Sequence, residues 1–222
     1  NLRQDVDNVF GQWAISPELN VQAEYRHRES REGDLAFNFD PDDFMRDKTI
    51  DRDSDTVRVG LRFSPSTSSD LLLSYINNDR TDKSESTRPD DVFGFADFGL
   101  LLEELAKTDD DGDQYEAQYL WRSPDINITA GAAYSDVDRD FSWDLSAIDS
   151  LGLLFGPPGS KLPVLDERSS QDIDHSRGYL YGNWDASDAL RVTLGVSYED
   201  FEQEDFDQDG YYPKFGLRWQ VN

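Results

Sequence analysis

The chain has no cysteine among its 222 residues. That excludes a disulfide framework, a thiolate metal site and a cysteine nucleophile. Long hydrophobic runs are missing too: the longest are only about four residues, such as Gly99-Leu100-Leu101-Leu102, and mean hydropathy is −0.74. A transmembrane helix needs about 20 consecutive apolar residues, so none is encoded. Histidine occurs only twice. Basic residues are outnumbered 47 to 21 by acidic ones, for a formal net charge of −26. Such a chain is repelled by phosphate backbones, which removes nucleic acid as a partner. The first residues, Asn1-Leu2-Arg3-Gln4-Asp5, carry no basic and apolar signal pattern.

What is present is aromatic, at 13% of the residues, which is too rich for a disordered chain. The dominant period is two. Val57, Val59, Leu61 and Phe63 alternate with Arg58, Gly60 and Arg62, and Leu190, Val192, Leu194, Val196 and Tyr198 alternate with Arg191, Thr193, Gly195 and Ser197. Residues i and i+2 share a face of a strand, so each segment has one apolar and one polar face. The pattern predicts nine strands, at roughly 6–15, 19–31, 55–64, 70–79, 113–122, 126–137, 175–184, 189–201 and 211–221. Short Ser-Pro or Asp-Ala-Ser-Asp connections suit tight turns. They alternate with long connections at about 32–54, 80–112 and 138–174 and a shorter one at about 202–210, the asymmetry of a membrane barrel with short inner turns and long outer loops.

The aromatics fall into two rows. Trp13, Phe63, Trp121, Trp184 and Trp219 stand at the short-turn ends of apolar faces, and Tyr25, Tyr75, Tyr134 and Tyr198 at the far ends of outgoing strands. An amphipathic ring favours the boundary between hydrocarbon and water. From Leu190 to Tyr198 the chain covers roughly 27 Å of strand, or on the order of 20 Å across the membrane after tilting. The fold expected is therefore all-β, an antiparallel up-and-down transmembrane barrel. Residues 1–222 form one barrel segment, with the bilayer and lipopolysaccharide as surroundings. A soluble β-sandwich is the competing fold, disfavoured by unequal connections and charged polar faces.

The polar faces carry Arg26, Arg58, Arg62, Arg122, Arg191 and Arg218, which become lumen candidates. Carboxylates crowd the long connections, so the expected outer mouth is acidic and selects cationic or metal-chelate solutes. Asp205, Asp207 and Asp209, followed by Gly210, resemble the first half of a calcium loop, although the glutamate expected at the twelfth position is replaced by Gly216. Calcium is thus the one candidate cofactor. His175 lies beside Asp172 and Asp174, an Asp–His arrangement able to activate water, but no serine motif accompanies it. His27, just past Tyr25, reads as interfacial. No catalytic residue is assigned. Phe95–Ala106 reads as a short helix, and Trp143–Phe155 as an apolar cluster, both capping the mouth.

The stretches Val21-Gln22-Ala23-Glu24-Tyr25-Arg26, Asp55-Thr56-Val57-Arg58-Val59-Gly60-Leu61-Arg62 and, above all, Tyr212-Pro213-Lys214-Phe215-Gly216-Leu217-Arg218-Trp219 resemble barrel strands of TonB-dependent receptors and of the related barrels that follow tetratricopeptide repeats. That resemblance implies a bacterial outer-membrane transport or receptor barrel for a small solute, served by a periplasmic coupling protein. Its alternatives are an adhesive or structural barrel and an exporter of polymer coupled to periplasmic repeats. An odd strand count, with single-chain bacterial barrels usually even, implies a segment of a larger barrel.

Overall fold

The computed structural model describes residues 2–36, 46–89, 100–154, 156–187, 189–204 and 206–219. They form one antiparallel sheet of nine strands in simple sequence order. The strands are β1 (Leu2–Ala14), β2 (Leu19–Ala36), β3 (Arg46–Ser66), β4 (Ser69–Pro89), β5 (Leu100–Arg122), β6 (Ile126–Asp149), β7 (Ser160–Ser187), β8 (Leu190–Gln203) and β9 (Phe206–Trp219). No described helix is long and apolar enough to cross a membrane. The sheet is open, with β1 and β9 at its edges, as in a partial barrel.

The main difference from expectation is length. The segments 80–89, 100–112, 138–149 and 160–174, assigned to loops, are strand. The short helix expected over 95–106 is absent from its described part, since Leu100–Ala106 opens β5. Residues 37–45 and 90–99 lie outside the described residues. These extensions are polar and lack the apolar alternation that marks a membrane strand, yet neighbouring backbones pair along them without a break from Pro89↔Leu101 down to Ser69↔Trp121. A backbone ladder supplies a hydrogen bond for each N–H and C=O whatever the side chains are. From Tyr134 to Asp149, β6 runs on for 15 residues, roughly 50 Å along the strand.

Register assigns each residue to a face, because partners across a ladder point the same way. One face carries Val9, Trp13, Tyr25, Val59, Phe63, Leu73, Tyr119, Leu180, Trp184, Leu194, Phe215 and Trp219, all exposed. The opposite, polar face is sheltered: Asp70, Ser86, Leu102, Ala147, Asp149, Tyr179 and Ser197 are buried there. A curved sheet occludes its concave side, so the polar face is the inner wall and the apolar face is the lipid side.

On the inner wall, glycines sit opposite large side chains. Gly131 pairs with Tyr179, Gly195 with Tyr181 and Gly60 with Gln22. A Cβ on Gly131 would come within 2.4 Å of the Tyr179 hydroxyl, and one on Gly60 within 2.7 Å of the Gln22 amide. The missing side chains let the larger ones lie flat across the wall.

Candidate functional site

Near the short-turn end, the inner wall is knotted by ion pairs. Asp70, with its side chain only 4% exposed, receives Arg62 at 3.1 Å and Arg122 at 2.7 Å. The Ser64 hydroxyl donates to the same carboxylate at 2.5 Å. Arg191 donates to Asp185, its register partner, through two nitrogens at 2.5 and 2.8 Å. Arg26 and Arg58 share Glu24, at 2.8 and 3.5 Å. Arg218 stands opposite Arg191 on β9. All six lumen candidates therefore lie on the inner wall, and five of them face carboxylates there.

Between these pairs, Gln12, Asn20, Gln22, Arg62, Ser74, Glu116 and Gln118 line a hollow of about 320 Å³. Two of these residues are tied together by Tyr179, which donates to Glu116 at 2.6 Å and accepts from Gln118 at 2.8 Å. Further out, Arg139 grips Asp110 at 2.6 Å, and Trp143 donates its indole N–H to Glu104 at 3.1 Å. The wall is thus lined by arginine, amide, hydroxyl and paired carboxylate groups.

The acidic excess lies elsewhere. Asp7, Asp55, Asp79, Asp113, Asp136, Asp174, Asp200 and Asp209 all take the outward parity, just beyond the tyrosine row. Several face one another directly, as in Asp113↔Asp136 and Asp136↔Asp174. Among the described residues, these carboxylates form a collar around the outside of the sheet, while Asp40, Asp42, Asp43, Asp90, Asp91 and Asp97 of the expected acidic mouth lie outside the described residues.

The tyrosine row joins this collar by a repeated bond that sequence reading missed. Tyr25 donates to Asp55 at 2.6 Å, Tyr75 to Asp113 at 2.7 Å, Tyr134 to Asp174 at 2.5 Å and Tyr198 to Asp209 at 3.4 Å. Tyr115 and Tyr211 belong to the same row, stacked at an angle on Tyr75 and Tyr198 with ring centres 5.1 and 4.9 Å apart. Trp13, Phe63, Trp121, Trp184 and Trp219 share the outward parity at the opposite end.

Two other expectations meet the fold differently. His175 takes inner-wall parity, while Asp172 and Asp174 point outward, so alternation separates the suspected pair. His175 instead faces Glu199, 4.0 Å away. Of the calcium candidates, Asp205 lies outside the described residues. Asp207 and Asp209 stand two apart on one face of the extended strand β9. The apolar cluster Trp143–Leu154 spreads from β6 into the β6–β7 tip, where the Asp149 carboxylate accepts the backbone N–H of Leu153 and Leu154 at 3.0 and 2.7 Å.

Comparison with known proteins bears on the whole chain. A family model described as TonB dependent receptor-like, beta-barrel matches residues 1–222. Among solved structures, the ferric preacinetobactin receptor BauA of Acinetobacter baumannii is similar over 97% of this chain and 37% of its own, at 11% identity and a TM-score of 0.65. The RagAB peptide importer in its "open-open" state matches over 97% and 29%, at 11% identity and a TM-score of 0.63. The siderophore receptor PiuA of Acinetobacter baumannii matches over 97% and 39%, at 10% identity and a TM-score of 0.58. At such identities the likeness is one of fold. The chain spans well under half the length of these structures. No curated protein matches it by sequence.

Proposed function

The chain belongs to the TonB-dependent-receptor β-barrel family, and from that premise we propose that it forms part of the wall of an outer-membrane receptor taking up a large polar solute, specifically an anionic or neutral metal chelate. The family is one of outer-membrane receptors and transporters of Gram-negative bacteria, which is a transport class and not an enzyme class. The observation that carries the finer reading is the inner wall. Arginines line it from the short-turn end outward, held in place by carboxylates, with glutamine and tyrosine between them. Planar guanidinium groups suit carboxylate and catecholate-type oxygens, and pairing prevents them from trapping the solute irreversibly.

The same reading supplies the partners. The apolar face meets lipid, the outward carboxylates meet lipopolysaccharide phosphates through bridging divalent cations, and a periplasmic coupling protein supplies energy to the whole receptor.

Uptake of radiolabelled ferric chelates by cells lacking the full-length gene, and by cells in which it is restored, tests the proposal. Restored uptake of an anionic or neutral chelate, reduced when Arg26 and Arg58 are both changed to Ala, is the expected result. Failure to bind or take up any such chelate sinks the reading. Steady ionic conductance of the full-length protein in a planar bilayer would also overturn it, in favour of an open porin.

A further inference from the structure

On β2 the first outward-facing residue past the tyrosine row is His27, and in register it stands between two collar carboxylates, Asp7 on β1 and Asp55 on β3. Four side chains there occupy adjacent outward positions of one two-strand ladder, His27 opposite Asp55 and Glu29 opposite Asp53. We propose that this group is a binding site for a borderline divalent transition-metal cation such as zinc, on the outer surface of the barrel and separate from the solute passage.

The distances fit. His27 Nδ1 lies 3.0 Å from an Asp55 oxygen and 3.7 Å from an Asp53 oxygen. The other ring nitrogen, Nε2, lies 3.6 Å from a Glu29 oxygen, near the roughly 3.4 Å that separates two ligands about 2.1 Å from a tetrahedral zinc. Nδ1 is hydrogen-bonded to Asp55. A metal-bound histidine usually gives its second N–H to a carboxylate, which holds the ring in the right tautomer and orientation. His27, Glu29 and Asp53 each bring a donor atom within 4.8 Å of the others. Tyr25 donates to Asp55 at 2.6 Å and so fixes that carboxylate from below.

The donor set also chooses the ion. Carboxylates alone suit calcium and magnesium, whereas one imidazole with two carboxylates suits zinc, cobalt or nickel. Like charges directly opposite on a ladder are destabilising, as Glu29 and Asp53 are. A cation held beside them removes that repulsion and ties β2 to β3 where the strands leave the bilayer.

The full-length receptor, purified in detergent after chelator treatment, is titrated with zinc chloride by calorimetry and with cobalt chloride by visible absorption. The expected result is one zinc per chain and an intense low-symmetry cobalt spectrum. His27→Gln and Asp53→Asn should each weaken zinc by at least roughly tenfold. His175→Gln, on the opposite face, should leave it unchanged. The more exposed Glu29→Gln gives a smaller loss and serves if the other variants fail to fold. Absence of stoichiometric zinc, an affinity indifferent to His27→Gln, or complete displacement by an equal concentration of calcium would each overturn the proposal.

Discussion

Tyr75 on β4 donates its phenolic proton to Asp113 on β5, 2.7 Å away, although the residue opposite Tyr75 in register is Tyr115. The acceptor is two positions further out on the same face. The offset repeats for Tyr25 with Asp55, Tyr134 with Asp174 and Tyr198 with Asp209. Each bond joins the last aromatic ring of the apolar band to the first carboxylate beyond it. The tyrosine row is therefore a seam, with its rings in the interface and its hydroxyls tied to the polar side.

Removing one stitch should be felt, and both partners should act as one unit. Tyr75→Phe and Asp113→Asn are each expected to lower the thermal unfolding temperature of the full-length receptor in detergent. The double variant should be no worse than the more damaging single one, because both remove the same bond. Simple additivity of the two losses would show that the contact contributes nothing.

The glycine opposite Tyr179 offers a steric test. Gly131→Val places atoms where the Tyr179 ring now lies, since even a Cβ would sit 2.4 Å from its hydroxyl. Overpacking of this kind costs about 1–3 kcal/mol. Denaturant unfolding should show that loss, and Gly131→Val with Tyr179→Ala should recover part of it.

Asp138, four residues beyond Tyr134 and outside the membrane band, faces Asp172 directly. Its contact with Asp172 holds its pKa above the ordinary aspartate value, with desolvation and the neighbouring charges adding to the rise. A raised carboxyl pKa means that the folded state binds the proton more tightly than the unfolded chain does. Its stabilising contribution is complete below the unfolded pKa and is lost as pH rises through the folded one. Asp138→Asn removes that loss. In chelator-treated buffer, the variant should gain stability over the parent as pH is raised from about 3 to 7, measured by thermal unfolding. A constant difference across that range would refute it.

Lipid facing separates two positions of β7. Trp184 has outward parity and Tyr181 inner-wall parity, both within the membrane band. In vesicles of brominated lipid, a receptor with Trp184 as its only tryptophan should be strongly quenched. One with Tyr181→Trp as its only tryptophan should be quenched little. The reverse result would invert the faces of the whole sheet.

Much of this was readable in advance. Period-two alternation in segments such as Val57–Phe63 and Leu190–Tyr198 marked the strands, because lipid on one side and polar groups on the other leave that trace in composition. The rows of Trp13, Trp121 and Trp184 and of Tyr25, Tyr75 and Tyr134 set strand direction. The extensions were illegible for the opposite reason. Around Asp109–Asp113 and Asp136–Asp140 both faces meet water, so no apolar period survives, and charge clusters there resemble loops.

By itself, then, the sequence determined a sheet of alternating strands, its two aromatic rows and the direction of each strand, since the bilayer imposes a pattern on every strand separately. Only the tertiary structure decided how far the strands run and where the charge goes. Backbone pairing continues past the membrane without regard to side chains, and register carries parity with it. That continuity turned the carboxylates outward, split His175 from Asp172 and Asp174, and brought His27 against Asp53 and Asp55.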